Sequence, residues 1–419
     1  MSRHSKRALL GGSATAALLI ALIAAPNAAR AANHSGTLDE SFGGDGIVVT
    51  DIGGTDAYDA IQAVVATPGG RILAAGLSNP LESAGATALA RYRWDGSLDP
   101  GFGTQGQETL SFADVAHAAV VQPDGLVVVG GSKFNDYGAL PDFALARLLP
   151  DGSLDPAFGQ DGQVTTDFGE HDELLALARQ PDGKLVAAGY TYKFLDTTNM
   201  ALARYLPNGS LDTRFGQGGK VVMSLLPTAS ASAVVVQPDG RIVVAGWTGG
   251  ADFVLARFRR DGSLDRSFGT GGLVTTDLGE DSRDQAAAMT LHGDGLVVVG
   301  QGLGGAAVAR YRMNGSLDPN FGTGGVLRVP GLTDAATAVV TYGSDLIVGT
   351  ARFSLARLDR HGALRTDFGT GGVLTTKIGG SASLQALAWQ PDGRLVAAGY
   401  TSDAPHWTDD FAVARYRIN

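Results

Sequence analysis

The sequence predicts an all-β fold, and within that class a seven-bladed β-propeller with four antiparallel strands per blade. Three observations lead to this prediction. The 419 residues include 60 glycines and only 18% charged residues, a composition typical of β-rich chains with many turns. Seven copies of one motif, represented by DGSLDPAFGQDG at 151–162, occur along the chain. Strand-length apolar segments and tight turns recur in a fixed order between the copies.

The first 31 residues are predicted to be a secretory signal peptide, which leaves residues 32–419 for the propeller. Three basic residues precede an apolar run over 8–25, and the small-residue exit Ala-Arg-Ala follows at 29–31. A single-span anchor is the alternative, but Gly-Gly-Ser at 11–13 interrupts the run. We expect a secreted or periplasmic protein with no membrane span after cleavage.

Charge and cysteine content exclude several kinds of partner and site. Cleavage would remove four basic residues and no acidic ones, so the formal net charge would change from −10 to −14. This charge argues against a nucleic-acid or anionic-membrane partner. The chain has no cysteine, so it can have neither a disulfide nor a thiolate metal site. Its stability must come from packing.

Each repeat unit contains four predicted strands. A strand such as AVVVQ at 233–237 runs into the hairpin turn Pro-Asp-Gly, in which glycine supplies positive φ, and a second strand follows. A third strand, such as FVLARF at 253–258, leads into the motif and then into a short fourth strand. The motif phenylalanines are 47 to 60 residues apart, at Phe42, Phe102, Phe158, Phe215, Phe268, Phe321 and Phe368. Four strands at this period are typical of a β-propeller.

The phase of the repeat predicts how the ring closes. First strands begin near Asp59, Ala116, Leu174, Ala231, Gln285, Ala335 and Leu384. The last unit has three strands and ends with FAVARYRIN, whereas GIVVTDIG at 46–53 matches the fourth-strand pattern before any first strand. We expect residues 46–53 to pair with residues 411–417. This three-plus-one closure would remove the open sheet edges.

The repeated strings LDxxFGxxG, QPDGRxVxAG and LARY resemble those of the delta-60 repeat family, bacterial exported proteins that carry a β-propeller domain of uncharacterised function. The resemblance covers residues 36–419. It implies the propeller architecture and export, and it implies no particular activity.

The motif is interpreted as a structural connector between blades. A catalytic or metal motif would create seven equivalent sites, and Arg365 replaces the central Asp in one copy. The motif Leu and Phe are expected to pack between neighbouring blades. An arginine occupies the same place in every third strand, and in six units we predict a charge-assisted pair with a motif Asp. The pairs are Arg91–Asp99, Arg147–Asp155, Arg204–Asp212, Arg257–Asp265, Arg310–Asp318 and, across the closure, Arg415–Asp39. The seventh arginine, Arg357, faces Arg365 and needs another acceptor.

Departures from the repeat predict where a ligand would bind. Loops joining second to third strands are long in units one, two, three and seven, and in a propeller they share one face with the segments that join the blades. Aromatic residues beside carboxylates are typical of carbohydrate, peptide or cation sites. The ligand-binding candidates are Phe134, Tyr137, Tyr192, Phe194, His406, Trp407, Glu170, Glu280 and Asp281. The alternative is that these rings cap the sheet ends and these acids are solvated.

Two functions stay open at this point. The first is an exported, noncatalytic binding module, expected to be a monomer, whose partner is an extracellular glycan, peptide or protein. The alternative is a polymer-degrading hydrolase or lyase in which His171 with Asp172 or Glu173 performs acid–base chemistry. The chain contains neither G-x-S-x-G nor H-E-x-x-H, so the first function is favoured.

No cofactor or metal site is predicted. Gly300–Gly305 satisfies the dinucleotide pattern, but a strand of the repeat follows it where a helix would be needed. The Asp-rich turns lack the ligand spacing of a calcium loop. Calcium is kept as the one alternative, because carboxylates are numerous.

Overall fold

A computed structural model describes residues 35–418, except 55–56, 81–84, 134–139, 170, 193–197, 226–227, 250–251, 280–282 and 404–407. This part of the chain forms 29 β-strands, numbered β1 to β29 in chain order, with one 3₁₀ turn at Ala351–Phe353 and no α-helix. No helix long and apolar enough to cross a membrane occurs among the described residues. The predicted all-β fold is confirmed. The predicted signal peptide, residues 1–31, lies outside the described residues.

The strands follow the predicted four-strand order. Two strands, β1 (Thr37–Leu38) and β2 (Ile47–Thr50), precede the first unit. The first strands are β3 (Ala57–Thr67), β7 (Val115–Val121), β11 (His171–Arg179), β15 (Ala229–Val236), β19 (Gln285–His292), β23 (Ala336–Tyr342) and β27 (Ser381–Trp389). The second strands are β4 (Arg71–Pro80), β8 (Val127–Lys133), β12 (Leu185–Tyr192), β16 (Ile242–Thr248), β20 (Gly295–Gly302), β24 (Asp345–Thr350) and β28 (Arg394–Asp403). The third strands are β5 (Ala86–Tyr92), β9 (Asp142–Leu148), β13 (Thr198–Tyr205), β17 (Phe253–Phe258), β21 (Gly305–Arg312), β25 (Ser354–Leu358) and β29 (Thr408–Arg417). The fourth strands are β6 (Gln107–Leu110), β10 (Gln163–Thr166), β14 (Lys220–Met223), β18 (Leu273–Thr276), β22 (Val326–Arg328) and β26 (Val373–Thr375).

Strand pairing makes each unit an antiparallel sheet, and the sheets form a propeller-like fold. The units that begin with β7, β11, β15, β19 and β23 are separate four-stranded sheets. In the last unit β2 pairs antiparallel with β29, with Ile47 opposite Ala414 and Thr50 opposite Phe411. A parallel bridge between Asp409 and Tyr58 joins this sheet to the first unit. The last unit therefore takes its fourth strand from the N-terminal part of the chain.

Every first strand contains a β-bulge at the same place. The bulged residues are Gln62, His117, Leu175, Ser232, Ala287, Thr337 and Gln385. A bulge bends the strand and increases its twist. It also pushes the backbone toward the second strand, where a Cβ placed on Gly246 would lie 1.7 Å from the carbonyl oxygen of Ser230. The glycine that ends the VVAG string at 243–246 is required by this close approach.

The motif phenylalanines pack between neighbouring units, as predicted. All seven are at most 1% exposed. A glycine of the next motif copy lies directly against each ring, as Gly209 lies against Phe158, where an added Cβ would be 3.0 Å from the ring. Full burial of such a side chain contributes about 1.5 to 3 kcal/mol. The motif is thus a connector that the following unit covers.

An arginine near the end of each third strand fixes the connector of its own unit. In the six predicted pairs the arginine Nε lies 2.8 to 3.2 Å from Oδ2 of the motif Asp. In five of these units the guanidinium also lies over the motif phenylalanine, 4.5 to 5.0 Å from the ring centroid. This stacking adds a cation–π attraction to the ion pair.

The same arginines reach into the next unit. Each donates through Nη1 to a backbone carbonyl just before the next motif copy, and the acceptors are Pro150, Pro207, Arg260, Met313, Arg360 and Trp94. The last of these bonds joins Arg415 of the last unit to the first unit. We call the seven third-strand arginines and their acceptors the arginine ring.

Arg357, for which the sequence left the acceptor open, pairs with Asp345. Its Nε donates to Asp345 Oδ2 over 2.9 Å, and its Nη1 lies 3.1 Å from the hydroxyl oxygen of Ser35. Arg365 donates to the other oxygen of Asp345 over 2.9 Å. One carboxylate from the hairpin turn therefore serves both arginines, which compensates for the missing motif Asp.

Replacing Arg415 with glutamine is expected to lower the free energy of unfolding by about 3 kcal/mol, because its 1% exposed side chain is the buried partner of Asp39. The matched control is Arg417→Gln. Arg417 contacts the same carboxylate but is 51% exposed, so this loss should stay below about 1 kcal/mol. Urea unfolding measures both values, and equal losses would contradict the role of the buried arginine.

The arginine ring also predicts acid sensitivity. Burial alone would raise the pKa of Asp39, but hydrogen bonds from Ser41 and Arg417 and the charges of Arg415 and Arg394 hold it well below the usual 3.8. The pKa values of Asp99, Asp212, Asp265 and Asp345 are lowered in the same way.

A carboxylate whose pKa is lower in the folded state stabilises the fold above its unfolded pKa and loses this effect as pH falls through the folded value. We therefore expect the contribution of these carboxylates to the unfolding free energy to be constant above pH 5 and to fall progressively below about pH 4. Urea titrations from pH 7 to pH 2 measure the unfolding free energy at each pH. Asp39→Asn should show a shallower acid dependence, and an unchanged slope would refute the assignment.

Candidate functional site

The loop face is the end of the strands at which the second-to-third-strand loops and the segments joining the units lie. The antiparallel order within each unit places the hairpin turns and motifs at the opposite end, here called the motif end. Among the predicted ligand-binding residues, Tyr192 is described. The others, Phe134, Tyr137, Phe194, His406, Trp407, Glu170, Glu280 and Asp281, lie outside the described residues. What the structure describes of this face is the strand ends beneath these loops.

A cluster of aromatic and acidic side chains lies at the loop-face end of β11 and β12. Tyr192 is opposite His171 in the strand register, and their ring centroids are 4.5 Å apart. His171 Nε2 lies 3.0 Å from Glu173 Oε1, and Tyr190 is also hydrogen-bonded to Glu173. We call these four residues the Tyr192 cluster. Their side chains are partly buried. The cluster is therefore a partly exposed surface on which these contacts fix the positions of an aromatic ring and a carboxylate.

The cluster keeps Glu173 ionised. Burial raises the pKa of Glu173, but the hydrogen bonds from His171 and Tyr190 outweigh it, so that the pKa lies below the usual 4.5. Burial, together with the charge of Glu173, raises the pKa of Tyr190. At neutral pH the cluster therefore presents a carboxylate acceptor beside a protonated phenol, and Glu173 carries no proton to donate.

Asp172, a residue of the alternative catalytic set, is buried below this surface. It is 0% exposed, and its Oδ2 accepts the backbone N–H of Phe168 over 2.6 Å. Asp59 and Asp284 hold the equivalent segments in other units, through the N–H groups of Ile52 and Leu278. Asp172 thus anchors the segment that joins two units. Burial, with the nearby charges of Asp142 and Asp167, raises its pKa to about 6.

Three groups of aspartates lie at junctions between units on the loop face, and these are the described residues that could hold a metal. In each group, three carboxylate oxygens lie within 4.8 Å of one another. In each group one Asp lies within two residues of the start of a third strand, one follows the fourth strand, and one lies within two residues of the start of the next unit's first strand. The groups are Asp51, Asp59 and Asp410; Asp142, Asp167 and Asp172; and Asp252, Asp277 and Asp284.

Sequence reasoning missed these groups because each one combines three separate segments. In the group of the last and first units, Asp410 is far along the chain from Asp51 and Asp59. A signal was present, since Asp precedes Phe at the start of the third strand in the same three units, at Asp142, Asp252 and Asp410. Without the pairing of neighbouring units, nothing connected that Asp to the other two.

Comparisons with known proteins agree with the propeller-like fold. Six segments of the chain match the model of a family described as "Domain of unknown function (DUF5122) beta-propeller": 68–102, 122–158, 180–215, 237–268, 292–321 and 390–417. These matches confirm the resemblance to the delta-60 repeat family. A search of curated protein sequences finds no match.

The chain is similar to two solved structures. The WD40 repeats of RRP9 are similar with a TM-score of 0.52 and 11% identity, over 88% of this chain and 97% of that one. BamB from Moraxella catarrhalis is similar with a TM-score of 0.45 and 15% identity, over 93% of each chain. At 11% identity the likeness to the RRP9 repeats concerns the fold alone.

Proposed function

Because the chain belongs to the DUF5122 β-propeller family, we propose that it is an exported, noncatalytic interaction module built on a seven-bladed ring. The ligand would bind at the loop face of units one, two, three and seven. Export rests on the sequence of residues 1–31, and the acidic charge disfavours nucleic acid as a partner.

Contacts of the N-terminal segment support a ring that closes three-plus-one. Residues 47–50 pair with β29, and Asp39 pairs with Arg415, so the segment is part of the last unit. The same segment contacts the first unit, since Gly43 donates its N–H to the Asp95 carbonyl over 2.8 Å. Gln390 of the last unit also bonds the Gly70 carbonyl of the first unit over 2.7 Å.

Closure can be tested by cross-linking. Val48 and Val413 are directly opposite in the register, and such pairs are close enough for a disulfide. The double variant Val48→Cys and Val413→Cys is expected to cross-link quantitatively under mild oxidation, because the chain has no other cysteine. Non-reducing electrophoresis measures the cross-linked fraction. The pair Val49→Cys and Val413→Cys, one residue out of register, should stay reduced, and equal cross-linking of both pairs would refute the closure.

The geometry of the Tyr192 cluster is the main support for the proposed binding function. A tyrosine ring packed on His171 offers a stacking face, and ionised Glu173 beside it accepts hydrogen bonds from hydroxyl or amide groups. This combination suits a glycan or a peptide. His171 contacts both the Tyr192 ring and the Glu173 carboxylate, and Tyr190 also bonds the carboxylate, so little entropy would be lost on binding.

The same geometry argues against Asp172 and Glu173 as general acids. Asp172 is fully buried and one of its oxygens holds the Phe168 N–H. Glu173 is ionised and bonded to both His171 and Tyr190, so it has no proton to give to a leaving group. The Tyr192 cluster acts in this proposal as a recognition surface.

The function is tested by thermal unfolding of the mature chain with a panel of soluble glycans and peptides. A ligand at 100 times its dissociation constant should add about 2.7 kcal/mol to the folded state. Tyr192→Ala should reduce this ligand-dependent shift. Trp94→Ala is the matched control, because Trp94 follows a third strand at the motif end and is 64% exposed.

Three outcomes would contradict the function. One is a panel that produces no shift, and another is a shift that Trp94→Ala reduces as much as Tyr192→Ala does. The third is release of reducing ends or peptide fragments by the wild-type chain that His171→Ala abolishes, since this would establish the hydrolase or lyase alternative.

A further inference from the structure

All three aspartate groups combine a buried, a half-buried and an exposed carboxylate, which is the arrangement of an oxygen-rich cation site. At the junction of the last and first units, Asp59 is buried, Asp410 is half-buried and Asp51 is exposed. At the junction of units two and three, Asp172 is buried, Asp142 is half-buried and Asp167 is exposed. Each group therefore runs from the interior to the solvent, which leaves an entry path.

The spacing of the oxygens fits a calcium ion. Calcium binds oxygen ligands at about 2.3 to 2.6 Å, so ligands on opposite sides of one ion are at most about 5 Å apart. The three carboxylates of each group supply oxygens that all lie within 4.8 Å of one another. Carboxylate ligands without nitrogen or sulfur also favour a hard cation over zinc or copper.

An independent observation singles out these two groups. Asp59 and Asp172 are 0% exposed, and in each the Oδ1 atom is buried with no hydrogen-bond partner among the described residues. The other oxygen of each accepts backbone N–H groups, and the side chain of Thr191 also donates a hydrogen bond to the Asp172 carboxylate. Within the described part of the chain, neither aspartate pairs with Lys or Arg. A buried carboxylate oxygen without a partner is costly, and a cation within the group would satisfy it.

We propose that the groups Asp51–Asp59–Asp410 and Asp142–Asp167–Asp172 are two sites for calcium or a divalent cation of the same class. Each ion would tie the third strand and the fourth-strand exit of one unit to the first strand of the next. The sites lie at the roots of the long loops of units seven and two, at the opposite end from the arginine ring. Cation binding in this form does not rest on the proposed function.

The third group, Asp252, Asp277 and Asp284, occupies the same three positions at the junction of units four and five. Among the described residues it contains no orphaned buried oxygen, so the proposal does not include it. It serves as an internal reference, because substitutions in the other two groups leave it intact.

The test is a calorimetric titration of the full mature chain with calcium chloride after removal of metals with EDTA. Asp172→Asn is expected to remove one binding site from the wild-type stoichiometry, and the double variant Asp59→Asn and Asp172→Asn to remove two. The control is Asp334→Asn, at the equivalent position of unit six, where the partner is Arg352 with Nε 3.5 Å away. This control should leave the stoichiometry unchanged.

Substitutions of the exposed ligands test the same sites in case a substitution of a buried aspartate prevents folding. Asp51→Asn and Asp167→Asn change solvent-facing side chains, and each should weaken calcium binding at its own site by about tenfold or more. The proposal is refuted if millimolar calcium gives no binding, or if the stoichiometry and affinity are the same in wild type and all variants. Glycans and peptides are absent from this titration, so a negative calcium result would not contradict the proposed function. A negative glycan and peptide panel would likewise not contradict the calcium sites.

Discussion

An arginine with little solvent exposure links each unit to the next. Its planar guanidinium has enough donors to reach a motif carboxylate, a phenylalanine ring and a carbonyl of the neighbouring unit at once. Arg415 forms the same contacts with Asp39, Phe42 and Trp94, which connects the last unit with the first. Without these contacts each motif carboxylate would lose its least exposed charged partner, since the other cations around it are more exposed, as Arg394 and Arg417 are at Asp39.

The two ends of the strands perform different tasks. The motif end repeats the same residues in nearly every unit, and it supplies packing and ion pairs. The loop face departs from the repeat, and it contains the Tyr192 cluster and the aspartate groups. A scaffold that is fixed at one end leaves the other free to vary, which is the usual division between framework and recognition loops.

Charge has opposite roles at the two ends. At the motif end every buried carboxylate meets an arginine, and in unit six Asp345 alone serves both Arg357 and Arg365. At the loop face, carboxylates gather at three junctions, and burial with the charges of Asp142 and Asp167 raises the pKa of Asp172. The proposed cations would do at the loop face what arginines do at the motif end, which is to neutralise a buried carboxylate and join two units.

The sequence by itself determined the strand order, the hairpin turns, the connector phenylalanines and the pairing partners of six arginines. These features are local, since an arginine and its aspartate are eight residues apart in five of the units, and the repeat displays each one several times. Only the tertiary structure decided that Arg357 pairs with Asp345, that Asp172 is buried below the loop face, and that three aspartate groups form. Those contacts join segments of different units, and the distance between such segments depends on how neighbouring sheets pack rather than on the spacing of residues along one strand.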